Sequence, residues 1–268
     1  MCNETNRINK SSKAVYQGKA IYKHHPKSKQ VIVFIHGIIE GPKQFRHLAQ
    51  IAYLAGYSTN ILLLPGHGGS GRAFAGTSYK QWINYVTTQV KRMKRIYDEV
   101  LLVGHSMGAL LALCEAAADE NKMTALVLMD APLKIHLWPR VVKGALKIGF
   151  GDIKPWENYT RAEYKAISVG KAPGWGYLGW AIRYCELFVL IGYAKKQISK
   201  VRKPILVVFA RKDEFVSLKS RQYFRKDNLI LQELILEDSG HFCYNHYDLI
   251  RLEEKFKIFI DEQKRRSE

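Results

Sequence analysis

The sequence predicts an α/β fold with a mostly parallel central sheet flanked by helices, and three observations carry that expectation. Short β-branched or leucine-rich runs alternate with amphipathic stretches along most of the 268 residues. That is the rhythm of strand–helix units whose strands are covered on both faces. Gly104-His105-Ser106-Met107-Gly108 separates the apolar run VLLV from an alanine-rich stretch, LLALCEAA, so a strand passes almost at once into a helix. Residues able to do chemistry recur just past the apolar runs, where open parallel sheets gather their sites.

The elements follow in chain order. A short strand falls within residues 14–22, and VIVFI (31–35) is a β-branched strand ending in His36-Gly37. In QFRHLAQIAYLAG, Phe45, Leu48, Ala52 and Ala55 share one helical face and Gly56 stops the helix. TNILLL (59–64) reads as a strand closed by the turn-rich PGHGGSG (65–71). SYKQWINYVTTQVKRMKRIYDE is a long amphipathic helix with Trp82, Tyr85 and Val86 on one side. Then come the strand VLLV (100–103), a helix from about residue 107, and the strand ALVLM (125–129). After an interruption the alternation resumes with PILVVFA (204–210), a short helix near 218–226, LQELILE (231–237) and a charged helix from about 247.

Composition bounds the function. The length suits one large α/β domain or two small ones. The cysteines Cys2, Cys114, Cys185 and Cys243 lack metal spacing, so the expectation is no disulfide framework and a reducing compartment. MCNETNRINKSSK has no apolar core of a secretory signal, and the greasiest run, LFVLIGYA (187–194), is too short to span a bilayer. A soluble, cytoplasmic protein is the expectation. The net charge of +18 is concentrated in residues 1–30 and 131–203, the latter with fourteen basic residues against four acids. No helix-turn-helix, zinc or RNA-recognition signature accompanies it, so nucleic acid is not an expected partner. A solvated lysine-rich surface and attraction to an anionic membrane surface both fit the charge.

The chemistry concentrates at the strand ends. Ser106, Asp213 and His241 appear in that order, each just past a strand. A lone G-x-S-x-G is a weak pattern; set between strand and helix, with an acid and a histidine at later strand ends, it is strong. The serine hydroxyl is a poor nucleophile until a base takes its proton, the role that falls to His241. Asp213 would hold the imidazole in the right tautomer and stabilise the imidazolium. Asp130, after ALVLM, also stands at a strand end and is the alternative acid. The Met107 and Ile38 backbone N–H groups face a developing oxyanion. His36, Gly37, Glu40 and His105 are the candidate substrate-binding residues, with orienting or purely structural roles open for the histidines and a solvated loop acid open for Glu40. No histidine cluster has metal spacing, and neither a metal nor an organic cofactor is expected.

These residues carry a resemblance. HGIIEGPKQF (36–45), LPGHGGSG, GHSMG, ARKDEFVS (210–217) and DSGHF (238–242) resemble the α/β-hydrolase superfamily in its monoacylglycerol lipase and carboxylesterase branch. The similarity covers 31–130 and 204–260. It implies a hydrolase core over 1–130 and 204–268, and a helical cap inserted over 131–203. Ile39 departs from the pattern, standing where lipase relatives often carry a small residue, so pocket width is open. The implied cap holds four of the five tryptophans, Trp138, Trp156, Trp175 and Trp180, with glycine-rich turns such as APGWGYLGW and amphipathic pieces such as VVKGALKIGF. A cap packed by its own aromatics and an acyl tunnel whose rim meets lipid both suit it. The expected function is hydrolysis of carboxylic esters through an acyl-enzyme, with an acylglycerol or other ester of a longer acyl chain as the small-molecule substrate. A thioesterase or peptidase on the same triad, and a non-catalytic ligand-binding protein of this fold, are the alternatives.

Overall fold

Strand β4 (Glu99–His105) lies at the centre of a seven-stranded sheet in the computed structural model, which describes residues 18–136, 162, 164–172, 177–226 and 231–267. The other strands are β1 (Ile21–Lys23), β2 (Gln30–Ile35), β3 (Ser58–Ile61), β5 (Met123–Met129), β6 (Ile205–Ala210) and β7 (Leu231–Leu236). Their spatial order is β1-β3-β2-β4-β5-β6-β7, parallel throughout except that β1 runs antiparallel to β3.

Burial on both faces explains why the inner strands read as continuous apolar runs without alternation. Val31, Val33 and Ile35 of β2 point to one face, beneath Trp82, Val86 and Val90 of α3 (Tyr79–Ile96) and Leu110 and Leu113 of α4 (Met107–Ala118). Ile32 and Phe34 point to the other, beneath Leu48 and Ala52 of α1 (Arg46–Leu54) and Leu252, Phe256 and Phe259 of α6 (His246–Ser267). Burying each such side chain contributes about 1.5–3 kcal/mol, and a one-residue slip would reverse every pair. The helix starts are capped locally. Ser78 Oγ accepts from Gln81 N ahead of α3, and Ser70 Oγ accepts from Ala73 N ahead of the short α2 (Gly71–Ala75).

The sheet is interrupted between β5 and β6. Within that interval α5 (Tyr177–Lys195) starts inside the stretch read as glycine-rich turns, a correction to that reading. Apolar residues surround α5, so no 3.6-residue stripe marks it in the sequence. Trp180 anchors it on the core: its indole N–H donates to Gly71 O at 3.0 Å and its ring meets Phe74. Trp138, Trp156, Trp175 and VVKGALKIGF lie outside the described residues. No described helix is long and apolar enough to cross a membrane. Cys114 and Cys185 are free thiols, whereas Cys243 is disulfide-bonded, which departs from the expectation of no disulfide.

Candidate active site

The turn after β4 is where local geometry departs most from the regular fold. Ser106 has φ 53° and ψ −121°, a conformation that costs a non-glycine residue of order 1–3 kcal/mol and persists only where its surroundings enforce it. The enforcement is close packing. A Cβ on Gly104 would sit 2.3 Å from Gly108 O, and one on Gly108 would sit 2.0 Å from Ile35 O. Helix α4 can therefore start against the end of β2 only because both positions are glycine. Ser106 N is satisfied by Met129 O at 2.9 Å, which ties the turn to β5. Gly108→Ala is expected to push α4 off β2 and destabilise the protein by about 1–3 kcal/mol or more. A denaturation midpoint equal to that of the unmodified protein would show that the two elements can separate freely.

Asp213 and His241, from the loops after β6 and β7, come together. His241 Nδ1 donates to Asp213 Oδ2 at 2.6 Å, while Asp213 Oδ1 accepts from Phe215 N and Val216 N, each at 2.7 Å. Three N–H groups thus fix a buried carboxylate, and the carboxylate fixes the imidazole tautomer. The His241 imidazole packs with Phe215 and Phe242 in a three-ring cluster, and the His241 backbone N–H donates to Glu214 Oε2 at 3.0 Å. Burial pushes the His241 imidazole down, but the Asp213 charge and hydrogen bond outweigh it and leave it above its ordinary value. Asp130 does not make the close contact with His241. Its Oδ1 accepts from Ala210 N at 2.8 Å, and its Oδ2 lies 3.8 Å from His105 Nε2.

The turn after β2 supplies the remaining candidates. Gly37 N donates to Glu40 Oε2 at 2.7 Å, Glu40 N reaches Gly37 O at 3.3 Å, and between them Ile39 takes φ 58°. A β-branched residue rarely adopts that conformation. His36 is fully buried with both ring nitrogens engaged, accepting from Leu64 N at 3.0 Å and donating to Gly37 O at 2.9 Å. Burial lowers its imidazole to about 4, so it stays neutral. Met107 opens α4, where N–H groups have no intrahelical partner and the helix dipole favours negative charge. Residue 168, from the interrupting segment, reaches this turn: Ser168 N donates to Ile39 O at 2.8 Å, and its hydroxyl donates to Glu40 O.

Two contacts escaped the sequence. Glu40 reaches across to His105 Nδ1 at 3.0 Å, and its Oε1 lies 3.9 Å from His241 Nε2. Ligand atoms of Glu40, His105 and His241, and those of Asp130, Asp213 and His241, fall within 4.8 Å of one another, clusters of metal-binding type that sequence spacing did not reveal. The Glu40 and Asp213 carboxylates in them are already held by imidazole and backbone N–H donors. That pattern suits an imidazole and carboxylate proton site.

Comparison with known proteins gives the family and the fold. Residues 26–169 match the family Hydrolase_4, described as serine aminopeptidase, S33. The chain is 24% identical over 243 residues to a monoglyceride lipase homolog of monkeypox virus, covering 83% of this chain and 85% of that protein. It is 29% identical to phospholipase YtpA of Bacillus subtilis over 103 residues, 38% of this chain and 40% of that protein. Among solved structures, the monoacylglycerol lipase of Paleococcus ferrophilus superposes with a TM-score of 0.68 at 16% identity, covering 91% of this chain and 98% of that one. The architecture is the α/β-hydrolase fold of lipases and esterases.

Proposed function

The chain belongs to the Hydrolase_4 family, and from that premise we propose that it is a serine hydrolase of carboxylic esters acting through an acyl-enzyme. The observation that carries the reading is the 2.6 Å contact between Asp213 and His241, together with a serine held at positive φ in the turn after β4. Ser106 Oγ attacks the carbonyl carbon while His241 Nε2 takes its proton, with Asp213 stabilising the imidazolium. The Ile38 and Met107 N–H groups receive the oxyanion, each such donor being worth about 3 kcal/mol. The imidazolium protonates the departing alkoxide, and water activated by His241 then releases the acid. His36 supports this chemistry from behind the oxyanion turn, through Gly37 and Leu64.

We read residues 131–203 as a cap over that site. The Ser168 hydrogen bonds to the oxyanion turn and the bond from Gly170 N to Gly69 O at 2.7 Å support this. Helix α5 leaves Leu178, Ile182, Phe188 and Val189 exposed, Leu178 at 73%, and ends in Lys195. An apolar helix side with cations at its end suits a long acyl chain and an anionic lipid surface. A monoacylglycerol or another ester of a longer acyl chain is the substrate this favours.

The test joins covalent labelling by a fluorophosphonate probe to kcat/KM across p-nitrophenyl acetate to myristate, monoacylglycerols and aminoacyl amides. Labelling is expected. The rate should rise about fourfold per methylene, the equivalent of ~0.8 kcal/mol, until the pocket is filled. A steady decline beyond acetate would remove the acyl pocket, and faster turnover of the amides would make the protein a peptidase. Salt-sensitive sedimentation with anionic but not neutral vesicles is the expected sign of the lipid-facing cap.

A further inference from the structure

Behind the candidate triad lies a second histidine–carboxylate unit that the acyl-transfer scheme does not use. His105, the residue before the nucleophile, is completely buried, and its ring centroid lies 4.7 Å from that of His241. Its Nδ1 meets both oxygens of the buried Glu40 carboxylate at 3.0 Å, and its Nε2 lies 3.8 Å from Asp130 Oδ2. Glu40 also accepts the Gly37 N–H, closing the turn that carries Ile38. Its Oε1 makes no well-formed hydrogen bond among the described residues and faces His241 Nε2, the nitrogen required to take the serine proton, at 3.9 Å.

We propose that Glu40 and His105 form a buried ion pair that positions the oxyanion turn and sets the charge facing the catalytic base His241. The inference rests on the serine-hydrolase reading only in calling His241 the base. Neither residue touches substrate in this role; both act through His241 and through Gly37.

The surrounding groups are consistent with a permanent pair. Burial opposes charge on His105, yet Glu40 and Asp130 outweigh it and raise the imidazole to about 10. Burial likewise opposes charge on Glu40, and the His105 charge and hydrogen bond leave that carboxylate below its ordinary range. His241 is faced by Asp213 and Glu214 from the loop after β6, by Asp130 from the end of β5, by His105 from β4 and by Glu40 from the turn after β2. The buried Tyr244 hydroxyl, from the same loop as His241, has no hydrogen-bond partner among the described residues and stays protonated among the Asp130, Glu40 and Asp213 charges. In this setting the pair contributes one negative and one positive charge that nearly cancel at His241. Removing either one unbalances them, with opposite sign.

That opposition is the test. The rate of Ser106 labelling by a fluorophosphonate should fall on the acid side as His241 takes a proton. In Glu40→Gln the His105 charge is left uncompensated, retained at acid pH by Asp130, so the acid limb should move down by about one pH unit. In His105→Gln the Glu40 charge, still held by the Gly37 N–H and by His241 itself as it takes a proton, is left uncompensated, and the limb should move up by about one unit. The double variant should return close to the unmodified protein. Limbs that coincide in all four proteins, or that move in the same direction in both single variants, would overturn the proposal and leave the pair a packing feature. Imidazole ¹⁵N titration of the unmodified protein tests it even if a variant fails to fold. His105 should hold both ring protons throughout the range in which His241 titrates; a neutral His105 there would also overturn it. Absence of any labelling in the unmodified protein would instead overturn the serine-hydrolase reading, while the titration would still decide the ion pair.

Discussion

Ser106→Ala should yield a folded protein whose ester hydrolysis is slower by a factor on the order of 10⁴–10⁶, the scale on which loss of a triad nucleophile acts. The expectation follows from where the oxygen stands. Ser106 stands at positive φ directly after β4, and Met107, the first residue of α4, follows it. Alanine retains the Cβ that the turn already tolerates, and the bonds from Ser106 N to Met129 O and from Ala109 N to Ser106 O belong to the backbone. The substitution therefore removes the proposed nucleophile without altering the packing of Gly104 and Gly108. Steady-state hydrolysis by the purified variant, with far-ultraviolet circular dichroism to verify its fold, checks this. Wild-type turnover in a folded variant would end the serine-hydrolase reading.

The legible parts of the molecule were those with local signals. Strands β2, β4, β5 and β6 are read from the sequence to within about two residues, because burial on both faces makes them continuous apolar runs. The elbow was legible because steric demand is written in residue type: Gly104 and Gly108 admit no Cβ. What stayed hidden was long-range or lacked a period. Helix α5 is apolar on its solvent side as well as its buried side, so its pattern carried no helical stripe. TNILLL reads as one strand through residue 64, whereas β3 ends at Ile61 and the chain leaves the sheet toward His36, which receives Leu64 N. The Glu40–His105 pair joins residues 65 positions apart, and nothing local to either could announce it. The sequence offers Glu40 as a candidate substrate-binding residue or a solvated loop acid, and its burial is a product of the fold.

The choice of acid gives the second large effect. Asp213→Asn is expected to reduce kcat by roughly 10⁴, the handicap of presenting the wrong imidazole tautomer to the serine. Two backbone donors, Phe215 N and Val216 N, hold Oδ1 at 2.7 Å, so an asparagine carbonyl must take that place and its amide nitrogen must face His241 Nδ1. That nitrogen donates where the carboxylate accepted. The imidazole then turns its own proton to Nε2 and cannot receive the one on Ser106. Asp130→Asn has no such consequence. Its Oδ1 would still accept from Ala210 N, and the altered atom faces His105 across 3.8 Å, beyond hydrogen-bonding distance. Its effect on kcat should stay within about tenfold, as for a lost charge contact next to the base. Comparing the two purified variants under identical conditions settles the assignment: if the Asp130 variant is the slower and both are folded, the acid belongs to β5 and the 2.6 Å bond from His241 to Asp213 is a structural one.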